Sequence, residues 1–247
     1  MSFNTKVFLP GISVDCVVFG FNENKLKVLL LKHKASVKWT LPGGFIKKEE
    51  NAENAVVRVL KERTQLDDIF LQQYHLFSDV NRVNKEFAKQ LYDQSLIDNP
   101  TKKWLSKRFV TIGYYALVDF SNVIAKPDYF SEACDWHDLT SLPQLSLDHS
   151  NIIKKALDTL RIQLSLKPVG KNLLPNKFTM PELQILYETI LGKSLDRRNF
   201  QRKMLSYGFL IKLDERRKGG AHKAPFLYQF DKNVYKKALV NGLRIGW

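Results

Sequence analysis

The stretch from Gly43 to Leu66 limits the fold more than any other part of this 247-residue chain. Residues 39 to 46 (WTLPGGFI) read as a short extended segment ending in a Gly-Gly turn. A helix then runs from about Ala52 to Thr64, on which Ala52, Ala55, Val56, Val59 and Leu60 recur at the helical period. That apolar stripe needs a surface to cover, and the preceding residues supply one. Residues 12 to 20 and 25 to 33 are rich in β-branched and apolar side chains and flank Phe21-Asn22-Glu23-Asn24, the pattern of a hairpin. Asp15 and Lys32 are polar groups set inside those strands. Further strands are expected at Ile69 to Phe77 and Phe109 to Phe120, followed by a helix from about His149 to Leu166. Strands interrupted by helices predict an α/β/α sandwich.

Charge divides the chain in two. The net charge is +14, yet Lys167 to Trp247 hold 17 of the basic residues and only 6 acidic ones. The first 166 residues are close to neutral by comparison, with 22 basic and 19 acidic. A basic surface confined to one small domain is the footprint of a polyanion-binding module. The expected domains are therefore 1–166 and 167–247. No apolar run approaches the roughly 18 residues of a membrane span, and the N-terminus lacks the order of a signal peptide, so no membrane partner and a cytoplasmic location are expected. Cys16 and Cys134 lack metal-ligand spacing and read as buried thiols.

In the basic region, Thr179 can cap a helix, Pro181 sits in its first turn and Glu182 completes a capping box. Leu183, Leu186, Tyr187, Ile190 and Leu191 continue its apolar face, and Gly192 ends it. Asp196 caps a second helix, Arg197 to Tyr207, with Phe200, Met204 and Tyr207 facing inward. Arg198, Asn199 and Arg202 project to the opposite side, flanked by Arg197 and Lys203. A strand from Gly208 to Leu213, a basic loop from Asp214 to Pro225 and a returning strand, Phe226 to Phe230, complete the order of a winged helix-turn-helix. The residues expected to meet double-stranded operator DNA are Thr179, Arg197, Arg198, Asn199, Arg202, Lys203, Arg216, Arg217, Lys218, His222 and Lys223. Arginine reads guanine edges and asparagine reads adenine.

Residues 79 to 108 are unusually polar and predict a loop or a helical excursion over the sheet, flanked by Arg82 and Arg108. Two arginines beside a cleft are suited to an anionic or polyhydroxyl ligand.

From Gly44 the chain reads five residues, Glu50, seven residues, Arg58, then Val59-Leu60-Lys61-Glu62-Arg63-Thr64-Gln65-Leu66. This spacing resembles the Nudix box, in which three glutamates of the second half hold divalent metal against a diphosphate. Here they align with Val59, Glu62 and Arg63. One carboxylate beside a guanidinium has no net charge with which to hold a hard cation, so the resemblance implies a degenerate box with no catalytic residue, no metal and no cofactor. Gln65, where the pattern has Gly, implies a loop drifted from catalytic geometry. The competing reading is an active hydrolase of nucleoside diphosphate derivatives. Together with the winged helix, Leu41-Pro42-Gly43-Gly44-Phe45, Tyr114-Tyr115-Ala116-Leu117, Gly170 to Pro175 and Arg198-Asn199-Phe200 resemble the NrtR family of Nudix-related regulators, and among them an arabinose-responsive branch. The resemblance implies a homodimer that binds operators, with a small effector in the former catalytic cleft near Asp15, Lys32, Gly43, Gly44, Phe45, Arg82 and Arg108. A pentose such as arabinose is expected there ahead of ADP-ribose, because a neutral sugar needs no metal.

Overall fold

The computed structural model describes residues 4–34, 36–66, 69–217 and 224–242. The chain divides into two compact units, residues 1–20 with 27–156, and residues 21–26 with 157–247. In the first unit, strands β1 (Phe8–Asn22), β2 (Lys25–His33), β3 (Trp39–Thr40), β4 (Gly43–Lys47), β5 (Phe70–Phe77), β6 (Val110–Val118) and β7 (Ser131–Asp138) form one seven-stranded sheet. Its order is β3-β2-β1-β6-β5, with β4 paired to β1 and β7 to β2. Only one of the pairings with a resolved register is parallel: β1 and β6 align from Ile12 with Val110 to Gly20 with Val118.

Every residue of β1 from Val14 to Phe19 is buried, so both faces of this central strand are covered. On one face Val14, Cys16 and Val18 meet Val56, Val59 and Leu60 of helix α1 (Ala52–Thr64). On the other, Phe19 packs against Tyr115, and Tyr74 donates its hydroxyl to the Ile152 carbonyl of α4 (His149–Leu166). This is the expected α/β/α sandwich. Cys16 and Cys134 are free and buried, and burial pushes both thiols above their ordinary range.

Two local expectations need correction, and a third resolves to one of its alternatives. Gly43 and Gly44 do not form a turn: they open β4, with Gly43 opposite Asp15 and Gly44 opposite Val14. Close approach is what requires glycine there, since a Cβ on Gly43 would collide with Asp15 Oδ1, and one on Gly44 would lie 2.7 Å from Val59 Cγ2. Residues 79 to 108 take the helical alternative as α2 (Lys85–Asp93) and α3 (Asn99–Leu105), capped by the side chains of Asn84 and Asp98. Gln65 has not drifted. It sits at φ 59°, ψ 18°, the left-handed cap a glycine would adopt, and its N–H reaches the Lys61 carbonyl. A side chain in that conformation costs about 1–2 kcal/mol, so Gln65→Gly is expected to raise Tm by a few degrees in a melting experiment.

The second unit contains α5 (Met180–Leu191), α6 (Arg197–Ser206) and α7 (Lys232–Asn241), with the small sheet β8-β10-β9. β8 is Phe178–Thr179, β9 is Leu210–Arg216 and β10 is Phe226–Phe230. Helix, turn, helix and hairpin follow in the expected winged order. β9 runs to Arg216 rather than ending at Leu213, because Phe226 pairs with Arg216 across the hairpin. Phe178, Phe209, Phe230 and Tyr235 form its aromatic core, so α7, which the sequence pattern did not reveal, closes the unit through Tyr235. The alternation Phe226, Tyr228, Phe230 points to three core rings, but Phe226 stays outside: its ring lies under Lys212 Nζ and the Arg216 guanidinium, each 3.8 Å from the centroid. No helix among the described residues is long and apolar enough to cross a membrane.

Candidate functional site

The Gly44 to Leu66 segment keeps the architecture of its motif, with Val59 and Arg63 standing at two of its three glutamate positions. Glu50 and Arg58 form a two-point ion pair, Nε to Oε2 at 3.1 Å and Nη2 to Oε1 at 2.5 Å. Arg58 Nη2 also donates to the Phe45 carbonyl at 3.0 Å. These bonds tie β4 and the following turn to α1, and the guanidinium holds the Glu50 carboxyl below its usual range. Val59 is buried against Gly44 and offers no ligand atom. Glu62 is exposed between Arg58 (3.8 Å) and Arg63 (3.5 Å). Arg63 turns inward to Asp128, Nη2 to Oδ2 at 3.2 Å, which leaves its Nε buried without a partner. Among the described residues no group of three or more His, Cys, Asp or Glu side chains is placed to hold a metal ion.

Beside this helix a cavity of about 990 Å³, its mouth included, opens between β1, β4 and the α2–α3 excursion. Its floor holds Asp15 and Arg82, an ion pair that Asp148, behind the lining, extends to a triad. Arg82, buried, donates Nη2 to Asp15 Oδ2 at 2.6 Å, Nε to Asp148 at 3.1 and 3.2 Å, and Nη1 to the Phe109 carbonyl at 3.2 Å. Next to it the buried His149 accepts from the Leu41 N–H at its Nδ1, 3.0 Å. His33 sits between the hydroxyls of Thr40 and Ser131 and stacks on Phe87 with ring centroids 4.5 Å apart. Phe87, Leu91 and Leu105 of the excursion roof the cavity, while Phe45 and Phe109 form a wall braced by Trp104.

Of the seven predicted cleft residues, Asp15, Gly43, Gly44, Phe45 and Arg82 line this cavity. Two do not, and the expectation for them is corrected. Lys32 lies on the half-exposed edge of β2 and is paired with Glu132 at 2.7 Å. Arg108 is exposed and donates to the Ser78 and Asp79 carbonyls, while its neighbours Lys107 and Phe109, in the link between α3 and β6, line the cavity instead. His33, His149, Phe87 and Lys107 line the cavity and went unread in the sequence. Isolated histidines and a short polar excursion carry no period or spacing that marks them.

Burial pushes both His33 and His149 below the ordinary imidazole value. The unfolded chain therefore takes up protons that the folded chain refuses, so stability is retained above pH 6.5 and falls as pH drops below it. Each histidine contributes a slope of up to about 1.4 kcal/mol per pH unit in that window. Melting at pH 7.5 and 5.5 should show the loss, and a His149→Gln chain should show a shallower one.

In the second unit the α5 N-terminus bears out its capping box: Thr179 Oγ1 accepts from Glu182 N at 3.3 Å, and Glu182 Oε2 from Thr179 N at 2.6 Å. That bond and the burial of Thr179 withdraw it from the DNA-contact set. On α6, Arg197, Arg198, Asn199, Arg202 and Lys203 are exposed while Phe200 and Met204 are buried, with Arg198 and Arg202 on the side away from them. Asn199 Oδ1 accepts from Arg202 Nη2 at 3.0 Å, presenting the two as one donor-rich plate. Arg216 is held by the Ala224 carbonyl and the Phe226 ring. Arg217 makes a two-point pair with Glu182 at 2.6 and 2.7 Å, which offsets its charge. Lys218, His222 and Lys223 lie outside the described residues.

A cavity-bearing Nudix sandwich followed by a basic winged helix defines a class, the Nudix-type DNA-binding transcriptional regulators. The NUDIX domain family model matches residues 9–159 and the NrtR DNA-binding winged helix domain model matches residues 170–230. The chain therefore belongs to the NUDIX family, and its residues 170–230 match the winged helix found in NrtR. It is 27% identical over 228 residues to the ADPR responsive transcriptional repressor NtrR of Acinetobacter baylyi, covering 90% of this chain and 82% of that one. It is also 27% identical over 148 residues to an ADP-ribose pyrophosphatase of Methanocaldococcus jannaschii, covering 59% of this chain and 72% of the relative. Shewanella oneidensis NrtR complexed with a 27mer DNA superposes with a TM-score of 0.71 at 25% identity, over 91% of this chain and 95% of that one.

These relatives overturn the expectation of a pentose effector, since both curated ones are named for ADP-ribose. The matched winged-helix model is that of NrtR as a whole and singles out no arabinose-responsive branch. The physical error lay in tying nucleotide binding to metal. Losing box carboxylates removes water activation, whereas binding needs only a shaped cavity with apolar walls and a few polar groups, which this one has.

Proposed function

We propose that the chain is a homodimeric regulator whose residues 167–247 bind operator DNA and whose residues 1–166 bind ADP-ribose without hydrolysing it, the nucleotide changing DNA affinity. The observation that carries this reading is the pair Val59 and Arg63. One is packed against Gly44, the other is paired with Asp128, and both stand where metal-holding carboxylates would be needed for turnover. The aromatic wall and roof of the cavity suit a flat base, and the ADP-ribose names of two relatives agree with that ligand.

The test uses the full chain. Calorimetry with ADP-ribose in EDTA and in magnesium should give the same affinity. Product chromatography should find the nucleotide intact. A gel shift on a duplex selected by the chain itself from random sequence should weaken on adding ADP-ribose by about 5- to 150-fold. Turnover near the roughly 1 per second of ordinary enzymes would refute the regulator-only reading, and tight binding that leaves the DNA titration unmoved would refute the coupling.

A further inference from the structure

The cavity floor has a chemistry of its own, distinct from that of a phosphate site. Asp15 and Asp148 share one guanidinium, Arg82, and the neighbouring His33 and His149 are kept neutral by burial. This group of side chains therefore has one carboxylate more than it has guanidinium groups. Asp15 spends Oδ2 on Arg82, while Oδ1 sits where a side chain on Gly43 would collide with it, so the glycine leaves that oxygen approachable. A carboxylate oxygen only accepts. His149 accepts the Leu41 N–H at Nδ1, which places the ring proton on Nε2 and makes that atom a donor. An acceptor and a donor on the lining of one cavity match a hydroxyl, which is both. A phosphate oxygen only accepts and would face Asp15.

We propose that this floor is a subsite for the uncharged terminal ribose of the ligand, with Asp15 as acceptor and His149 as donor, and that it keeps phosphate out. The subsite rests on the ADP-ribose reading above and assigns the orientation that reading leaves open. The hydroxyl-bearing end lies on Asp15 and His149, and the diphosphate points toward Lys107, the cation on the lining that no carboxylate among the described residues neutralises.

Calorimetry on the full wild-type chain with ADP-ribose, ADP and an ADP-ribose phosphorylated on its anomeric hydroxyl tests it. ADP-ribose is expected to bind about 10- to 100-fold tighter than ADP, because a site built to hydrogen-bond hydroxyls penalises a ligand that lacks them. The phosphorylated derivative should bind no better than ADP. In His149→Gln the advantage of ADP-ribose over ADP should shrink, with ADP itself unchanged. In Asp15→Asn the penalty on the phosphorylated derivative should shrink. Equal wild-type affinity for ADP and ADP-ribose, or acceptance of the phosphorylated derivative, would overturn the subsite while leaving a nucleotide effector in place. Absence of any ADP-ribose binding would bring down the effector reading and the subsite with it. The wild-type comparison needs no variant, so it decides the matter even if one of the two fails to fold.

Discussion

Arg82→Met is expected to cost the first unit about 3–5 kcal/mol, the range for removing one partner from a buried ion cluster. The side chain of Arg82 is only 4% exposed, and those of Asp15 and Asp148 are 10% and 23% exposed. Deleting the guanidinium strands two carboxylates near each other and also releases the Phe109 carbonyl. The loss should appear in urea titrations as a lower midpoint at unchanged slope. Neutralising all three members together, with Asp15→Asn and Asp148→Asn added, should recover much of it, because no uncompensated charge is then left behind. A loss below about 1 kcal/mol, the range of an exposed pair, would show that water solvates the floor and would remove the basis for treating it as a dry surface.

The second large effect is expected on DNA. Arg198→Ala and Arg202→Ala should each weaken binding to a preferred duplex by about 1–3 kcal/mol and relax the base preference, as for bidentate base contacts. Asn199→Ala should not add independently to Arg202→Ala, since the two side chains are bonded to each other at 3.0 Å. Arg217→Ala should have a smaller effect on DNA than either arginine of α6, because Glu182 already occupies its guanidinium. Quantitative gel shifts across preferred and scrambled duplexes at two salt concentrations separate these outcomes. If the α6 variants bound both duplexes as the parent does, α6 would not be the reading helix.

Much of this was legible from residue order, because the signals concerned are local. The helices at Ala52 and His149 follow from apolar stripes at the helical period, and the α5 start follows from Thr179, Pro181 and Glu182 within one turn. The charge excess after Lys167 separates the basic module by counting alone. The strands β7 and β8 were not legible, since Ser131–Asp138 has no regular alternation of polar and apolar residues and β8 has two residues, so only their sheet partners define them.

The cavity shows the same division more sharply. The sequence by itself determined that the Gly44 to Leu66 motif would lack two carboxylates, that α6 would present arginines outward, and that the two halves of the chain would differ in charge. Only the tertiary structure decided which polar groups face the ligand. Arg82 and Arg108 are equivalent as residues near a cleft, yet one is buried between Asp15 and Asp148 and the other is spent on two loop carbonyls outside. His149 enters because β1, the β3–β4 link and the start of α4, more than a hundred residues apart, converge on one floor. Long-range pairing leaves no periodic trace in the order of residues, whereas helix stripes, caps and charge are written within a few positions of one another.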